Sequence, residues 1–194
     1  MYSSQKQDSD LIFSLYSDTR TVYRLNDIAL LLGETNFDSL NQRLNYYVRV
    51  GKLQNPRKGI YTKQEFNIEE FSCRIYLPSY ISLEYVLQKA GVAFQYSSQI
   101  TSVSYLSRSL AIGTNSFVFR KIKDIVLVET MGIIRQANGV NIATPERAVL
   151  DMLYLNGETY FDNLNLINKD LVYKLLPIYK SKILKQRVNR LFPL

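Results

Sequence analysis

Histidine and tryptophan are both absent from this 194-residue sequence, and cysteine occurs once, at Cys73. A chain without histidine cannot form Ser-His-Asp triads, Cys-His dyads or zinc sites built from cysteine and histidine ligands. A single cysteine cannot form an intramolecular disulfide bond, which agrees with a reducing compartment. These absences exclude most hydrolases and most metalloenzymes.

Phosphate-binding motifs are also missing, because the sequence contains neither GxxxxGK[ST] nor GxGxxG. The acids that remain candidates for a carboxylate-only site are Asp124, Glu129, Glu146 and Asp151. Glu146 and Asp151 belong to one predicted helix, where their spacing separates them by about 140° around the axis, so they lie on different faces. We therefore predict a protein that is not an enzyme and that needs no cofactor or metal.

Long hydrophobic runs are lacking as well. No run of 18 apolar residues occurs, and the N-terminal sequence MYSSQKQDSD is polar, without the apolar stretch of a signal peptide. Hydrophobic residues nevertheless make up 46% of the chain, which is enough to form the core of one large or two small domains. We expect a cytoplasmic protein with no membrane partner.

The segment from Leu25 to Lys63 has the element order of a winged helix-turn-helix. Asn26 is predicted to cap a short apolar helix that ends at Gly33. A second helix, from about Asp38 to Val50, places one apolar stripe toward the core: Leu40, Leu44, Tyr47 and Val48. Two short extended runs then form a hairpin with a basic tip, which would be the wing.

Positive charge is concentrated on the second helix and the hairpin. Residues 39–64 contain six cationic residues and no acidic one, although residues 1–70 balance nine Lys and Arg against nine Asp and Glu. Such a local excess suits phosphate binding, and polar side chains on the helix suit base edges. The predicted DNA-binding residues are Asn41, Gln42, Arg43, Asn45, Tyr46, Arg49, Lys52, Arg57, Lys58 and Lys63. The alternative is a solvated face on a protein-interaction module.

A helix and a strand precede this segment. Ser9 is predicted to cap a helix that runs to about Ser17, and residues 21–25 (TVYRL) form a strand that pairs with the hairpin. We place the domain boundary between Thr62 and Pro78. The predicted domains are a winged helix-turn-helix DNA-binding domain at residues 1–68 and a C-terminal domain at residues 75–194.

The C-terminal domain is predicted to be a mixed α/β domain with a small antiparallel sheet and C-terminal helices, so the fold class of the whole chain is α+β. Ser82 is predicted to cap a helix, and the short apolar run Ile125–Val128 is a possible strand. Asn138-Gly139 predicts a hairpin with a type I′ turn. Thr144 is predicted to cap a helix that continues through Leu155.

The last forty residues predict helices broken near Pro177, and they carry strong positive charge. Residues 169–190 contain seven cationic residues and one acid, Asp170. This face is either a functional nucleic-acid contact or a solvated face over an apolar stripe. The candidate functional surface on this face comprises Lys180, Lys182, Lys185, Arg187 and Arg190.

Two segments of the C-terminal half carry a family resemblance. They are Ser79–Glu84 (SYISLE) and Ala143–Asp151 (ATPERAVLD), the latter followed by the apolar stretch Met152–Leu155. With a winged helix-turn-helix before them and a β-rich segment between them, they resemble the AbiEi antitoxin family. The resemblance extends over roughly residues 9–190, and ATPERAVLD is its most specific part.

The AbiEi resemblance implies an autorepressor and antitoxin of a type IV toxin-antitoxin system, active in abortive infection, a form of phage defence. It implies that the N-terminal domain binds inverted repeats in the promoter of its own operon. It also implies that the C-terminal domain counteracts a cognate nucleotidyltransferase-like toxin. The implied partners are therefore double-stranded DNA and this toxin, the latter as a functional rather than necessarily a physical partner.

Two other function classes remain open from the sequence. The first is a one-component transcriptional regulator whose C-terminal domain binds a small effector, which an apolar pocket with convergent polar groups would favour. The second is an enzyme with a carboxylate site fused to a DNA-binding module, which requires several acids in one cleft.

Overall fold

The computed structural model describes residues 11–95 and 97–193, and it divides into two compact units. The first unit extends to Ile75 and includes residues 137–139, and the remaining residues form the second unit. Each unit has its own sheet and its own helices. The chain therefore belongs to the α+β class, as predicted.

The first unit, where the structure describes it, begins with a helix at residues 11–17 (α1), and the predicted cap at Ser9 lies outside the described residues. The elements that follow are β1 (Val22–Arg24), α2 (Leu25–Leu32), α3 (Phe37–Arg49), β2 (Gln54–Arg57), β3 (Ile60–Thr62) and α4 (Ile68–Ile75).

The three strands of the first unit form an antiparallel sheet in the order β1-β3-β2. Val22 and Gln54 both lie opposite Thr62, so the central strand joins the first strand to the hairpin. Side chains from α1, α2, α3 and the sheet share one buried cluster, since each helix has one apolar stripe. Its members are Leu11, Leu15, Tyr23, Ile28, Ala29, Leu40, Leu44, Tyr47, Leu53 and Tyr61.

The ends of α2 and α3 follow local capping chemistry. Gly33 ends α2 with a φ of 64°, which favours glycine, as predicted. The predicted cap at Asn26 is wrong, because α2 already starts at Leu25 and the Asp27 carboxylate accepts a hydrogen bond from the Arg24 backbone N–H at 2.9 Å. Asn36 caps α3 by accepting from the Ser39 N–H at 3.0 Å.

Helix α4 is held to the first unit by a buried carboxylate. Glu70 is only 2% exposed, and its Oε2 accepts hydrogen bonds from the backbone N–H groups of Thr21 and Val22 at 2.7 and 3.1 Å. The Thr21 hydroxyl donates to the same oxygen at 2.9 Å. These contacts satisfy a charged group that would be costly to bury alone, and they place the helix beyond residue 68 in the first unit.

The second unit contains a six-stranded sheet and several helices. Its strands are β4 (Ser79–Ile81), β5 (Gln99–Ser104), β6 (Arg108–Ile112), β7 (Asn115–Lys121), β8 (Ile133–Arg135) and β9 (Asn141–Ala143). Its helices are α5 (Leu83–Lys89), α6 (Asp124–Leu127), α7 (Pro145–Asn156), α8 (Lys169–Leu175) and α9 (Lys182–Leu191). Short 3₁₀ turns cover Leu164–Leu166 and Leu176–Tyr179, the latter at the predicted break near Pro177.

The six-stranded sheet has the order β6-β7-β5-β4-β9-β8 and mixed strand directions. The pairs β5 with β7 and β4 with β9 are parallel, whereas the other pairs are antiparallel. The prediction of a small antiparallel sheet is therefore wrong. Parallel pairs join strands that are distant in sequence, so no local turn signal indicates them.

Two further predictions for the second unit need correction. The run Ile125–Val128 is helical rather than extended, because Val128 N–H donates to the Asp124 carbonyl at 3.0 Å, and short apolar runs do not distinguish the two states. The hairpin at Asn138-Gly139 exists, with β8 antiparallel to β9, but only Gly139 has a positive φ, 85°. The turn is therefore not type I′.

The start of α5 uses a different cap from the predicted one. Ser82 precedes the helix, but its hydroxyl makes no capping hydrogen bond. Instead, the Thr101 hydroxyl on β5 accepts from the Tyr85 N–H at 3.0 Å and donates to the Ser82 carbonyl at 2.7 Å. The Ser82 hydroxyl is thereby free to donate to the Asp151 carboxylate at 2.7 Å.

Thr144→Ala tests the cap of α7, where the predicted chemistry is present. The Thr144 hydroxyl accepts from the Arg147 N–H at 3.3 Å, and Pro145 occupies the first helical position. We expect the free energy of unfolding to fall by about 1 kcal/mol in a urea titration, because the backbone N–H loses its acceptor. Thr114→Ala, at an exposed turn, is the control. An equal loss in the control would contradict a capping role.

Candidate nucleic-acid interface

The outward face of α3 presents polar side chains to solvent. Asn41, Gln42, Asn45, Tyr46 and Arg49 are all exposed, while the opposite stripe contributes Leu40, Leu44 and Tyr47 to the core. Within the described chain, no hydrogen bond engages the side chains of Gln42 or Asn45. These two amides therefore keep both their donors and their acceptors available, as readout of base edges requires.

Asn41 differs from its neighbours on this face because it contacts the hairpin. Its Oδ1 accepts a hydrogen bond from the Tyr61 hydroxyl at 2.7 Å, which joins α3 to β3. Burial raises the pKa of Tyr61, so the phenol remains a protonated donor. The Asn41 side chain thus positions the helix against the hairpin.

The two arginines of α3 differ in whether an acidic side chain of the described chain pairs with them. Arg43 is partly buried and lies 3.4 Å from the Glu34 carboxylate, an ion pair at the turn before the helix. Arg49 is exposed, and its guanidinium lies 5.7 Å from the centre of the Tyr46 ring. Such a cation–π contact orders an arginine without neutralising it. Arg49 is therefore the better placed of the two to meet a phosphate.

The hairpin brings its basic tip close to Arg24, which is not among the predicted DNA-binding residues. Arg24, Arg57 and Lys58 line one shallow cleft of about 310 Å³ in the first unit, with Gly59 between the strands. The Arg24 Nε donates to the Arg74 carbonyl at 3.0 Å, which fixes the guanidinium at the edge of this cleft. The only sequence signal for Arg24 is its place at the end of the strand that pairs with the hairpin.

Two predicted contact residues lie at the base of the hairpin. Lys52 is exposed, and its carbonyl accepts from the Tyr16 hydroxyl at 2.8 Å. Lys63, in contrast, donates from Nζ to the Asp18 carbonyl at 2.7 Å and lies over the Tyr16 ring at 5.7 Å. The Lys63 ammonium thus satisfies backbone carbonyls at the end of α1, which reduces its availability to an external ligand.

The carboxylates weighed as enzyme candidates do not form a common site. Asp124 lies in the first turn of α6, Glu129 accepts from the Met131 N–H at 3.1 Å, and Glu146 accepts from the Asn168 N–H at 3.1 Å. Over residues 11–95 and 97–193, no group of three His, Cys, Asp or Glu side chains could hold a metal ion. The Glu129 and Glu146 carboxylates instead accept hydrogen bonds from backbone N–H groups.

Asp151 belongs to a buried polar cluster in the second unit. Its Oδ2 accepts from the Ser82 hydroxyl at 2.7 Å, and its Oδ1 accepts from the Tyr179 and Tyr80 hydroxyls at 2.6 and 3.1 Å. The Arg147 Nε lies 3.7 Å from the same carboxylate, and both side chains are fully buried. We call Tyr80, Ser82, Arg147, Asp151 and Tyr179 the buried cluster.

Arg147 is held by carbonyls as well as by Asp151. Its two terminal nitrogens donate to the carbonyls of Met131 and Val126 at 2.9 and 2.7 Å. Burial raises the pKa of Asp151, and Arg147 and the three hydroxyl donors oppose that shift. Burial also raises the pKa of Tyr80 and Tyr179, so both phenols remain donors. The cluster is an enclosed structural network rather than an accessible site.

The C-terminal basic face contains two kinds of cation. Arg187 is partly buried and donates to the Leu153 carbonyl at 2.7 Å, near the end of α7, and Arg190 forms an ion pair with Glu158. Lys180, Lys182 and Lys185 are exposed and line a cleft of about 350 Å³ together with Tyr173 and Pro177. Of the five cations of this candidate surface, the three lysines are those that make no hydrogen bond or ion pair with their side chains among the described residues.

Comparisons with known proteins place the fold but not the function. No protein-family model matches the sequence, and no curated protein matches it. Among solved structures, the chain is similar to the RV2827C protein from Mycobacterium tuberculosis, with a TM-score of 0.54 and 14% sequence identity. The similarity covers 96% of this chain and 76% of that one. At such identity the similarity concerns the fold alone.

Among the described residues, no helix combines the length and the apolar character that crossing a membrane requires.

Asp151→Ala tests whether the second unit depends on the buried cluster. The variant leaves the Arg147 guanidinium buried without its carboxylate, so we expect the free energy of unfolding to fall by about 3–5 kcal/mol. Glu158→Ala is the matched control, because it removes the partner of Arg190 from an exposed ion pair and should cost about 1 kcal/mol or less. Denaturant titrations of both variants give the comparison. Similar small losses would contradict the proposed dependence.

Proposed function

We propose that this protein is a DNA-binding autorepressor and the antitoxin of a type IV toxin-antitoxin system related to the AbiEi family. In this proposal the first unit is a winged helix-turn-helix, in which α2 and α3 are the helix pair and the β2–β3 hairpin is the wing. Helix α3 reads bases, and the wing contacts phosphates. The second unit is the antitoxin domain.

The observation that carries the DNA-binding part is the surface of α3 and the hairpin. Gln42 and Asn45 are exposed and unengaged within the described residues, and Arg49 lies on the same helix face. Lys58 is exposed at the hairpin tip. Amides that can contact base edges, flanked by cations that can contact phosphates, are the two kinds of group that sequence-specific DNA binding combines. Residues 39–64 contain no acid that would repel the backbone.

The antitoxin part rests on the resemblance of the second unit to AbiEi proteins. The two segments that carry the resemblance, Ser79–Glu84 and Ala143–Asp151, contribute Tyr80, Ser82, Arg147 and Asp151 to one buried cluster. These four residues therefore act as determinants of the fold of the second unit. This role supports an architecture shared with AbiEi proteins. The toxin and its target enter only through the resemblance.

Binding titrations with two variants test the DNA-binding part. We expect Asn45→Ala to weaken the free energy of binding to DNA from the promoter of its own operon by about 1–3 kcal/mol, because it removes a base contact. Its binding to scrambled DNA should change little. We expect Lys58→Ala to weaken binding to both DNAs. The slope of the logarithm of the binding constant against the logarithm of salt concentration should become less steep by about one unit, because one fewer counterion is released. Equal losses on both DNAs for Asn45→Ala would show that this side chain does not read bases.

Rescue of growth tests the antitoxin part. The full chain, co-expressed with the nucleotidyltransferase-like protein of its operon, is expected to restore growth, and a Gln42→Ala, Asn45→Ala variant should still do so after losing repression. Reversal of Lys180, Lys182 and Lys185 to Glu should leave the fold intact, because all three are exposed. Loss of rescue by the folded reversal variant would assign antitoxicity to this surface, and retained rescue would make it a solvated face. Failure of the unmodified chain to rescue would contradict the antitoxin assignment.

A further inference from the structure

The second unit contains a cleft of about 700 Å³ that none of the roles above uses. Residues from α5, β5, β7 and the end of α7 line it, together with the loops after α5 and α7. Ala93, Val118 and Met152 supply apolar surface, and the rest of the lining is mostly polar. Its volume lies within the range of small-molecule sites, about 300–1,000 Å³.

One wall of the cleft carries a carboxylate that has no partner among the described residues. Glu84 lies in the first turn of α5 and is partly buried. Among the described residues, no side-chain hydrogen bond or ion pair reaches it. The other partly buried acids behave differently, since Glu34 pairs with Arg43 and Glu129 accepts from a backbone N–H. A partly buried carboxylate with free acceptor sites favours a ligand with positive charge or several donors.

Arg120 supplies the opposite charge in the same cleft. It is partly buried on β7, and one terminal nitrogen donates to the Asn156 Oδ1 at 2.9 Å. No carboxylate of the described chain lies within ion-pair distance of it. This single hydrogen bond orients the guanidinium and leaves most of its five donors available. A planar, oriented guanidinium is well suited to bind a carboxylate through two parallel hydrogen bonds.

We propose that this cleft binds a small zwitterionic ligand of the amino-acid or short-peptide class, with its carboxylate on Arg120 and its ammonium group on Glu84. The apolar surface of Val118 and Met152 would contact the ligand side chain. The two charged residues lie in one cleft without pairing to each other, so a zwitterion satisfies both at once. This inference goes beyond the proposed function, and nothing in it requires DNA or a toxin.

Other ligand classes fit these groups less well. A nucleotide would place a phosphate dianion in a cleft that offers one cation and one carboxylate, so Glu84 would repel it. A purely apolar ligand would desolvate both charges without pairing either, which costs free energy. A cationic amine would leave Arg120 without an anion. Only a ligand with both charges matches both residues.

Amide NMR titrations of the full-length protein, without DNA, test the proposal. The probes are the individual free amino acids and the dipeptides alanyl-leucine and alanyl-phenylalanine. The controls are the N-acetylated amide of each probe, which lacks both charges, and AMP. We expect saturable shifts of cleft amides such as Thr101, Val118 and Arg120 with at least one zwitterionic probe, and about tenfold weaker binding of its capped form. Whether free amino acids or dipeptides bind more tightly identifies the source of the ligand.

Two variants and two controls connect binding to the charged pair. Arg120→Gln and Glu84→Gln should each weaken binding by about tenfold or more, while Lys121→Gln and Asp124→Asn, which are exposed and outside the cleft, should leave it unchanged. Unshifted amide signals far from the cleft would establish that each variant is folded. Absence of saturable binding by every zwitterion up to roughly 10 mM, equal binding of the capped forms, or binding of AMP alone would overturn the proposal. None of these results would affect the DNA titrations described above.

Discussion

The pairing of Arg147 with Asp151 inside the second unit is the contact on which much of its architecture depends. Two fully buried charges are costly unless most of their donors and acceptors are satisfied. Hydroxyls from Tyr80, Ser82 and Tyr179 donate to the carboxylate. The terminal nitrogens of Arg147 donate to backbone carbonyls, and among the described residues only its Nε lacks a hydrogen-bond partner within this pair. Strand β4, helix α7 and the 3₁₀ turn at Leu176–Tyr179 must therefore meet at one point. This meeting explains why Ser82, Arg147 and Asp151, from SYISLE and ATPERAVLD, are polar yet buried.

Local features of the fold could be predicted from the sequence, whereas contacts between distant segments could not. The apolar stripe of α3, the positive φ of Gly33 and the cap at Thr144 depend only on nearby residues, and all three are present. The parallel pairs β4 with β9 and β5 with β7 join strands that are not consecutive in the chain, so no turn between them indicates the pairing. The cap of α5 could not be predicted for the same reason. Thr101, on a neighbouring strand, supplies the acceptor that Ser82 was expected to supply.

For the candidate interface, helical periodicity correctly separated the exposed side chains of α3 from the buried ones. It could not foresee what long cationic side chains do after folding. Lys63 and Arg187 both reach back to backbone carbonyls, at Asp18 and Leu153, and such contacts depend on tertiary distances. The predicted pairing of residues 21–25 with the hairpin brings Arg24 near the hairpin tip, but the pattern of α3 and the hairpin alone does not mark it as a contact residue.

The hydrogen bond between the Tyr61 hydroxyl and Asn41 has a thermodynamic consequence for any ligand of this surface. It joins the exposed helix to the central strand of the sheet, and β3 in turn pairs with β2 of the hairpin. Helix and hairpin therefore hold their relative positions before a ligand arrives, so little conformational entropy is lost when both engage it. Rigid presentation of this kind favours discrimination between closely related ligands, because a mismatched one cannot be accommodated by rearranging the surface.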